Sequence, residues 1–131
     1  MSDIVCFIPA RGNSKSIPNK NTKLLGGIPL VSWTIDAAKK CGLENIVVNT
    51  DDQAIEDIAV SSGVNVQIRP HQLGSDKTSM YELLRSEIFK LNPVPEIVLL
   101  LQPTSPFLNV SQIKFALDYF LQDLVLYDSL I

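Results

Sequence analysis

The sequence has few of the residues from which metal and redox sites are built. Its 131 residues include one histidine, His71, and two cysteines, Cys6 and Cys41. The cysteines share no metal-ligand or redox spacing, so we interpret them as small apolar residues of a reducing compartment. We interpret His71 as a surface loop residue, since a lone histidine cannot anchor a multi-histidine site. No metal ligand is assigned.

Long apolar runs and an excess of one charge are also missing. The first apolar run, IVCFI, is too short for a signal peptide or a membrane span, and Pro9 ends it. We therefore expect a cytoplasmic protein. With 11 Lys and Arg against 14 Asp and Glu, the net charge is −3, which gives no overall reason to expect nucleic acid or an anionic membrane as a partner.

Two familiar phosphate-binding motifs are absent. No G-x-x-x-x-G-K-[ST] segment occurs, which excludes a P-loop NTPase. No G-x-G-x-x-G follows the first apolar run, which disfavours a dinucleotide-dependent dehydrogenase.

Acidic residues are absent from residues 4–35, where the composition predicts about three. The same window contains Arg11, Lys15, Lys20 and Lys23, most of them in the long segment PARGNSKSIPNKN. A long loop without periodicity is usually functional or disordered, and Arg, Lys, Ser and Asn are the side chains that hold phosphate groups. The pattern predicts a local anion site, and a solvated basic loop without a ligand remains the alternative.

Apolar runs alternate with helical patterns along the chain. This order, βαβαβαβα, predicts one domain with a parallel α/β sheet and right-handed crossovers. Unbroken apolar runs predict strands covered on both faces, whereas the alternation in VNVQIR predicts a strand nearer the sheet edge. The predicted strands lie at residues 4–10, 45–51, 64–69 and 96–102.

Ligands of open α/β sheets bind outside the carboxyl ends of the strands. That rule selects the loops at residues 10–28, 50–52, 69–78 and 102–109. Within them we expect Asp51 to cap the following helix. Arg69 is either a ligand-binding residue or an exposed arginine at a strand end.

Five segments form a further pattern: IPARGNSKSIPNKN, GGIPLVSWTIDAA, VVNTDD, GVNVQIRP…LGSDKTS and LLLQPTSPF. In this order and spacing they resemble the acylneuraminate cytidylyltransferase family, also called CMP-N-acetylneuraminate synthetases. The resemblance implies a Rossmann-like, three-layer α/β/α nucleotidyltransferase fold with a mostly parallel sheet. It also implies transfer of CMP from CTP to the anomeric hydroxyl of a nine-carbon 2-keto sugar acid of the sialic, legionaminic or pseudaminic type, with release of pyrophosphate.

The resemblance implies roles for individual residues. Arg11 and Lys20 would be catalytic, Arg69 would reach the cytosine, and Thr78 and Ser79 would also meet the base. The sugar would contact Gln102, Thr104 and Ser105. The complete set implied to bind the nucleotide is Arg11, Gly12, Ser14, Lys15, Lys20, Asn21, Arg69, Thr78 and Ser79.

The chain also departs from the family pattern. Leu108 stands where an arginine is expected, and the family continues well beyond residue 131. We therefore expect residues 1–131 to form a single, incomplete nucleotide-binding domain, truncated at its C-terminal side, with impaired turnover. Magnesium ligands are expected mainly outside this chain or from the nucleotide, and the homodimer of the full-length family is not expected to carry over.

Two alternatives remain. The related Kdo-activating enzymes carry a Gln-Gly-Asp-type motif where this chain has QPTSP, which argues against that branch. A non-catalytic CTP-binding or interaction module derived from such an enzyme stays open.

Overall fold

The computed structural model describes residues 4–12, 22, 24–70, 79–103 and 110–122. Helices and strands alternate in these ranges, as predicted. The strands are β1 (Ile4–Pro9), β2 (Leu24–Leu25), β3 (Ile28–Pro29), β4 (Ile46–Thr50), β5 (Asn65–Ile68) and β6 (Ile97–Leu100). The helices are α1 (Leu30–Lys40), α2 (Gln53–Ser61), α3 (Met80–Ile88) and α4 (Val110–Gln122).

Four parallel strands form the main sheet in the order β5-β4-β1-β6. β1 and β4 are central, and their mainly apolar residues are buried on both faces, as predicted. β5 lies at one edge, and Ile68 is 59% exposed, which confirms the interpretation of the alternating VNVQIR segment.

The prediction for β6 is partly wrong. Its apolar run was expected to be covered like β1, but Val98 is 36% exposed. The reason is position, because β6 pairs only with β1 among the described strands and ends the sheet on that side.

Helices cover both faces of the sheet and make three layers. Successive strand residues point to opposite faces, so Ile8 packs in one cluster with Ile35 of α1 and residues of α2 and α4. Phe7 packs in another cluster with Leu83 and Ile88 of α3. Each fully buried side chain of this size contributes roughly 1.5–3 kcal/mol to stability. The expected three-layer α/β/α architecture is confirmed.

A small hairpin precedes α1. β2 and β3 pair antiparallel around Gly26 and Gly27, whose φ angles are 60° and 82°. A two-residue hairpin turn with positive φ at both positions is the type that favours Gly-Gly. The indole Nε1 of Trp33 in α1 donates to the carbonyl oxygen of Leu25 at 3.0 Å, which ties the hairpin to the helix.

Candidate functional site

The strand tips bring four predicted loops to one edge of the sheet. The backbone N–H of Ala10 donates to Asn49 O at 2.9 Å, and that of Arg69 donates to Thr50 O at 2.9 Å. On the other side of β1, the N–H of Leu101 donates to Phe7 O at 3.1 Å. Because the strands are parallel, the residues that follow β1, β4, β5 and β6 share this edge.

The strand order locates a crevice at this edge. From β1 the chain moves outward to β4 and β5, then crosses to β6 on the opposite side of β1. The gap between β1 and β6 is therefore the topological switch point, where ligands of open α/β sheets bind. Arg11 and Gly12 border it from β1, and Gln102, whose side chain is exposed, borders it from β6.

The turn after β1 is held against the turn after β4. The N–H of Gly12 donates to Asp51 Oδ1 at 2.9 Å. A Cβ on Gly12 would lie 2.7 Å from Asp52 Cβ, so only glycine fits this close approach. Gly12 was predicted as a nucleotide-binding residue, and the structure gives its N–H a partner within the protein.

The predicted cap of α2 is wrong by one residue. Asp52 is the N-cap, and its Oδ2 accepts from the N–H of Ile55 at 3.1 Å. Asp51 instead binds Gly12, because the first carboxylate after β4 faces the neighbouring strand tip. Acids at this turn therefore position two loops relative to each other.

Replacing Asp52 with alanine is expected to lower the free energy of unfolding by about 1 kcal/mol, the usual contribution of a helix N-cap. Urea denaturation measures this loss. Asp52→Asn keeps an oxygen acceptor and should stay within a few tenths of a kcal/mol of the parent. Equal losses in both variants would contradict the capping role.

Arg69 is buried, so the alternative of an exposed strand-end arginine is wrong. Only 5% of the residue is exposed. Its Nη2 donates to the carbonyl oxygen of Asn49 at 3.0 Å, the same oxygen that accepts from Ala10. The guanidinium therefore reaches across β4 toward the tip of β1.

Several charges act on Arg69. Burial lowers the pKa of the guanidinium, Asp51 and Glu87 raise it, and Arg11 lowers it. The two arginines thus repel each other across the tips of β1 and β4. An anion near both would reduce this repulsion.

A buried polar network beneath Arg69 was missed by sequence reasoning. Asn49 Nδ2 donates to Gln67 Oε1 at 2.9 Å and to Glu87 Oε1 at 3.0 Å. Gln67 Nε2 donates to the carbonyl oxygen of Glu87 at 2.9 Å. Two patterns indicated it: Asn49 interrupts the apolar run of β4, and Glu87 follows buried Leu83 by four residues, on the same face of α3.

The other predicted site residues are distributed as follows. Ser79 caps α3, since its Oγ accepts from the N–H of Glu82 at 3.1 Å. The remaining predicted residues lie outside the described part of the chain: Ser14, Lys15, Lys20, Asn21, Thr78, Thr104 and Ser105. Of the predicted residues that the structure describes, Arg11, Gly12 and Arg69 are brought together.

The described residues do not fit a metal ion. They contain no group of three or more His, Cys, Asp or Glu side chains that could hold one. Asp51 and Asp52 lie at the site, but their carboxylates bind backbone N–H groups of Gly12 and Ile55.

No helix within the described ranges is long and apolar enough to cross a membrane.

Solved structures share this fold. CMP:2-keto-3-deoxy-manno-octonic acid synthetase complexed with CTP superposes with a TM-score of 0.79 over 95% of this chain and 50% of that chain, at 22% identity. A Mycobacterium tuberculosis protein solved in complex with manganese superposes with a TM-score of 0.64 over 89% of this chain and 59% of that chain, at 16% identity. The fold is the Rossmann-like fold of nucleotidyltransferases.

Sequence comparison identifies the family within this fold to which the chain belongs. The profile of the cytidylyltransferase family matches residues 5–127. The CMP-N,N'-diacetyllegionaminic acid synthase of Legionella pneumophila is 41% identical over 120 residues, which cover 88% of this chain and 52% of the relative. The N-acylneuraminate cytidylyltransferase of Streptococcus agalactiae is 36% identical over 119 residues, which cover 88% of this chain and 29% of the relative. The chain belongs to the cytidylyltransferase family, and it spans about half or less of these two relatives' length.

Proposed function

We propose that the protein transfers CMP from CTP to the anomeric hydroxyl of a nine-carbon 2-keto sugar acid of the legionaminic or sialic type and releases pyrophosphate. The observation that carries this proposal is the position of the Arg69 guanidinium beside the tip of β1. Its Nη2 donates to the same carbonyl oxygen as the N–H of Ala10, the residue before Arg11. Relatives that share 36–41% identity are named for this chemistry. The Kdo-specific alternative is supported only by a likeness in fold at 22% identity.

The reaction requires positioning and neutralisation of charge. The sugar hydroxyl attacks the α-phosphorus in line, the bond to the bridging oxygen breaks, and pyrophosphate leaves with the bonding electrons. Arg11 and Lys20 offset the negative charge that develops on the phosphate oxygens. Gly12, Ser14, Lys15 and Asn21 complete the loop around the nucleotide.

The two substrates occupy opposite sides of β1. Arg69, Thr78 and Ser79 orient the base on the β4–β5 side, and Gln102, Thr104 and Ser105 receive the sugar on the β6 side. This division follows the strand order, because Arg69 follows β5 and Gln102 follows β6.

Magnesium is proposed as the accompanying ion, by analogy with the manganese complex of a protein of the same fold. Since the described residues do not form a metal site, its ligands would come from the nucleotide or from residues outside the described ranges. When bound, the ion would neutralise phosphate charge.

We further propose that the protein works in the cytoplasm. Both cysteines are free thiols, which is usual for proteins of a reducing compartment. The homodimer implied for the full-length family stays a prediction.

Pyrophosphate release is the direct test. The purified chain is incubated with CTP, Mg²⁺ and a panel of nine-carbon sugar acids, and CTP binding is measured in parallel by calorimetry. Release with one acid supports the transferase and identifies its substrate. CTP binding without release supports the second candidate, a non-catalytic CTP-binding module. Equal binding of CTP, ATP and GTP would refute the cytidine assignment.

Replacing Arg11 with alanine is expected to weaken CTP binding roughly tenfold, because a hydrogen bond to a charged group contributes about 1.5–3 kcal/mol. Binding of free cytidine should not change. Arg85→Ala, which removes an exposed arginine of α3, is the control. Equal losses for CTP and cytidine would show that Arg11 does not act on the phosphates.

A further inference from the structure

Helix α3 carries a completely buried carboxylate. Glu87 is 0% exposed. Its Oε1 accepts from Asn49 Nδ2 at 3.0 Å, and its Oε2 accepts from Ser86 Oγ at 3.3 Å and pairs with Lys90 Nζ at 2.6 Å. Burying a charged group is costly even when it is paired, and an apolar residue at such a site often gives equal or greater stability. Stability of the fold therefore does not explain why a glutamate is present.

Asn49 connects this carboxylate to Arg69. The side-chain amide of Asn49 donates to Glu87, and the backbone carbonyl of the same residue accepts from Arg69 Nη2 at 3.0 Å. Gln67, two residues before Arg69 in the chain, braces the arrangement by hydrogen bonds to both Asn49 and the backbone of Glu87. The network thus joins β4, the end of β5 and α3.

The charges reinforce this geometry. Burial lowers the pKa of the Arg69 guanidinium, Asp51 and then Glu87 raise it, and Arg11 lowers it. Asp51 lies at the strand tips. Glu87 attracts the guanidinium from the α3 face of the sheet, where it is shielded from solvent.

We propose that Glu87 is a positioning residue: through Asn49 it holds the Arg69 guanidinium in a fixed orientation at the strand tips for contact with the base. This rests on the proposed function, in which Arg69 contacts the cytosine of CTP. Glu87 touches neither substrate.

The binding test compares Glu87→Gln with Glu82→Gln. Glutamine keeps the size of Glu87 but turns the charge-assisted hydrogen bond from Asn49 into a weaker, neutral one. Glu82 is an exposed glutamate of the same helix. We expect Glu87→Gln to weaken CTP binding about tenfold, within the range of coupling between neighbouring residues. Binding of inorganic triphosphate, which has no base, should be unchanged in both variants.

A double-mutant cycle separates positioning from general structural damage. In an Arg69→Met background, the effect of Glu87→Gln on CTP binding should disappear, because Glu87 acts through Arg69. If Glu87→Gln lowers the affinity for CTP by the same factor with and without Arg69, the proposal is overturned. Equal CTP binding by Glu87→Gln and the parent would also overturn it.

A measurement without ligand distinguishes failure of this inference from failure of the proposed function. The NMR resonance of the Arg69 Nε–H group, assigned by its loss in Arg69→Met, should shift in Glu87→Gln and stay in place in Glu82→Gln. If the parent binds no CTP, the proposed function fails, and the role assigned to Glu87 in base contact fails with it. If the parent binds CTP but the Arg69 resonance does not move in Glu87→Gln, only the positioning role fails.

Discussion

Replacing Arg69 with methionine is expected to lower the affinity for CTP by about thirty- to a hundredfold without lowering the stability of the fold. The loss in affinity follows from removing a charged donor from the proposed base site, which costs about 2–2.7 kcal/mol. The unchanged or higher stability follows from burial. Burial is the largest influence on the pKa of the Arg69 guanidinium and lowers it. Keeping this charge buried in the folded protein is therefore costly in free energy.

Calorimetry with CTP and urea denaturation measure the two effects on the same samples. Methionine preserves the length of the side chain, so little cavity is left beneath the strand tips. Arg85→Met on the exposed face of α3 is the matched control and should change neither quantity. A variant that loses stability and affinity in proportion would indicate that Arg69 is a structural residue.

Replacing Gly12 with alanine is expected to destabilise the fold by about 2–4 kcal/mol. The added Cβ would lie 2.7 Å from Asp52 Cβ and 2.8 Å from Asp52 Oδ1. These atoms belong to a short side chain that caps α2, so relief requires movement of the backbone or loss of the cap. Overpacking typically costs 1–3 kcal/mol and a lost cap about 1 kcal/mol more.

Urea denaturation of Gly12→Ala measures this effect, and Gly12→Ala combined with Asp52→Gly identifies its cause. Removing the Asp52 side chain takes away the overlapping atoms, so the double variant should recover much of the stability lost in Gly12→Ala. If the double variant is no more stable than Gly12→Ala, the clash with Asp52 is not the reason for glycine at this position.

Much of the scaffold follows from local patterns. The mainly apolar runs of β1 and β4, the alternation in β5 and the helical patterns between them specify which faces are buried. Side chains return to the same face every 2 residues in a strand and every 3.6 in a helix. The order of elements then specifies parallel pairing, and the crossovers place the loops after β1, β4, β5 and β6 at one edge. Burial of β6 was overestimated, since an apolar run does not reveal whether a strand ends the sheet.

The sequence predicted which residue types form the candidate site, but it predicted only some of the contacts between them. Arg11 and Arg69 were expected to bind the same nucleotide, which stays a prediction, and the structure places the Arg69 guanidinium beside the tip of β1. The cap of α2 was assigned incorrectly to Asp51, because two adjacent acids after a strand are equivalent in sequence. Which one caps α2 and which one binds Gly12 depends on how closely the tip of β1 approaches.

The amino-acid sequence alone determined the α/β class, the cationic first loop and membership of the cytidylyltransferase family. Only the tertiary structure decided that Arg69 is buried and that Asn49 joins it to Glu87. The physical reason is separation along the chain. Asn49 and Glu87 are 38 residues apart, and Gly12 and Asp51 are 39 residues apart. Periodicity shows which face a side chain occupies, but its partner depends on how whole strands and helices pack together.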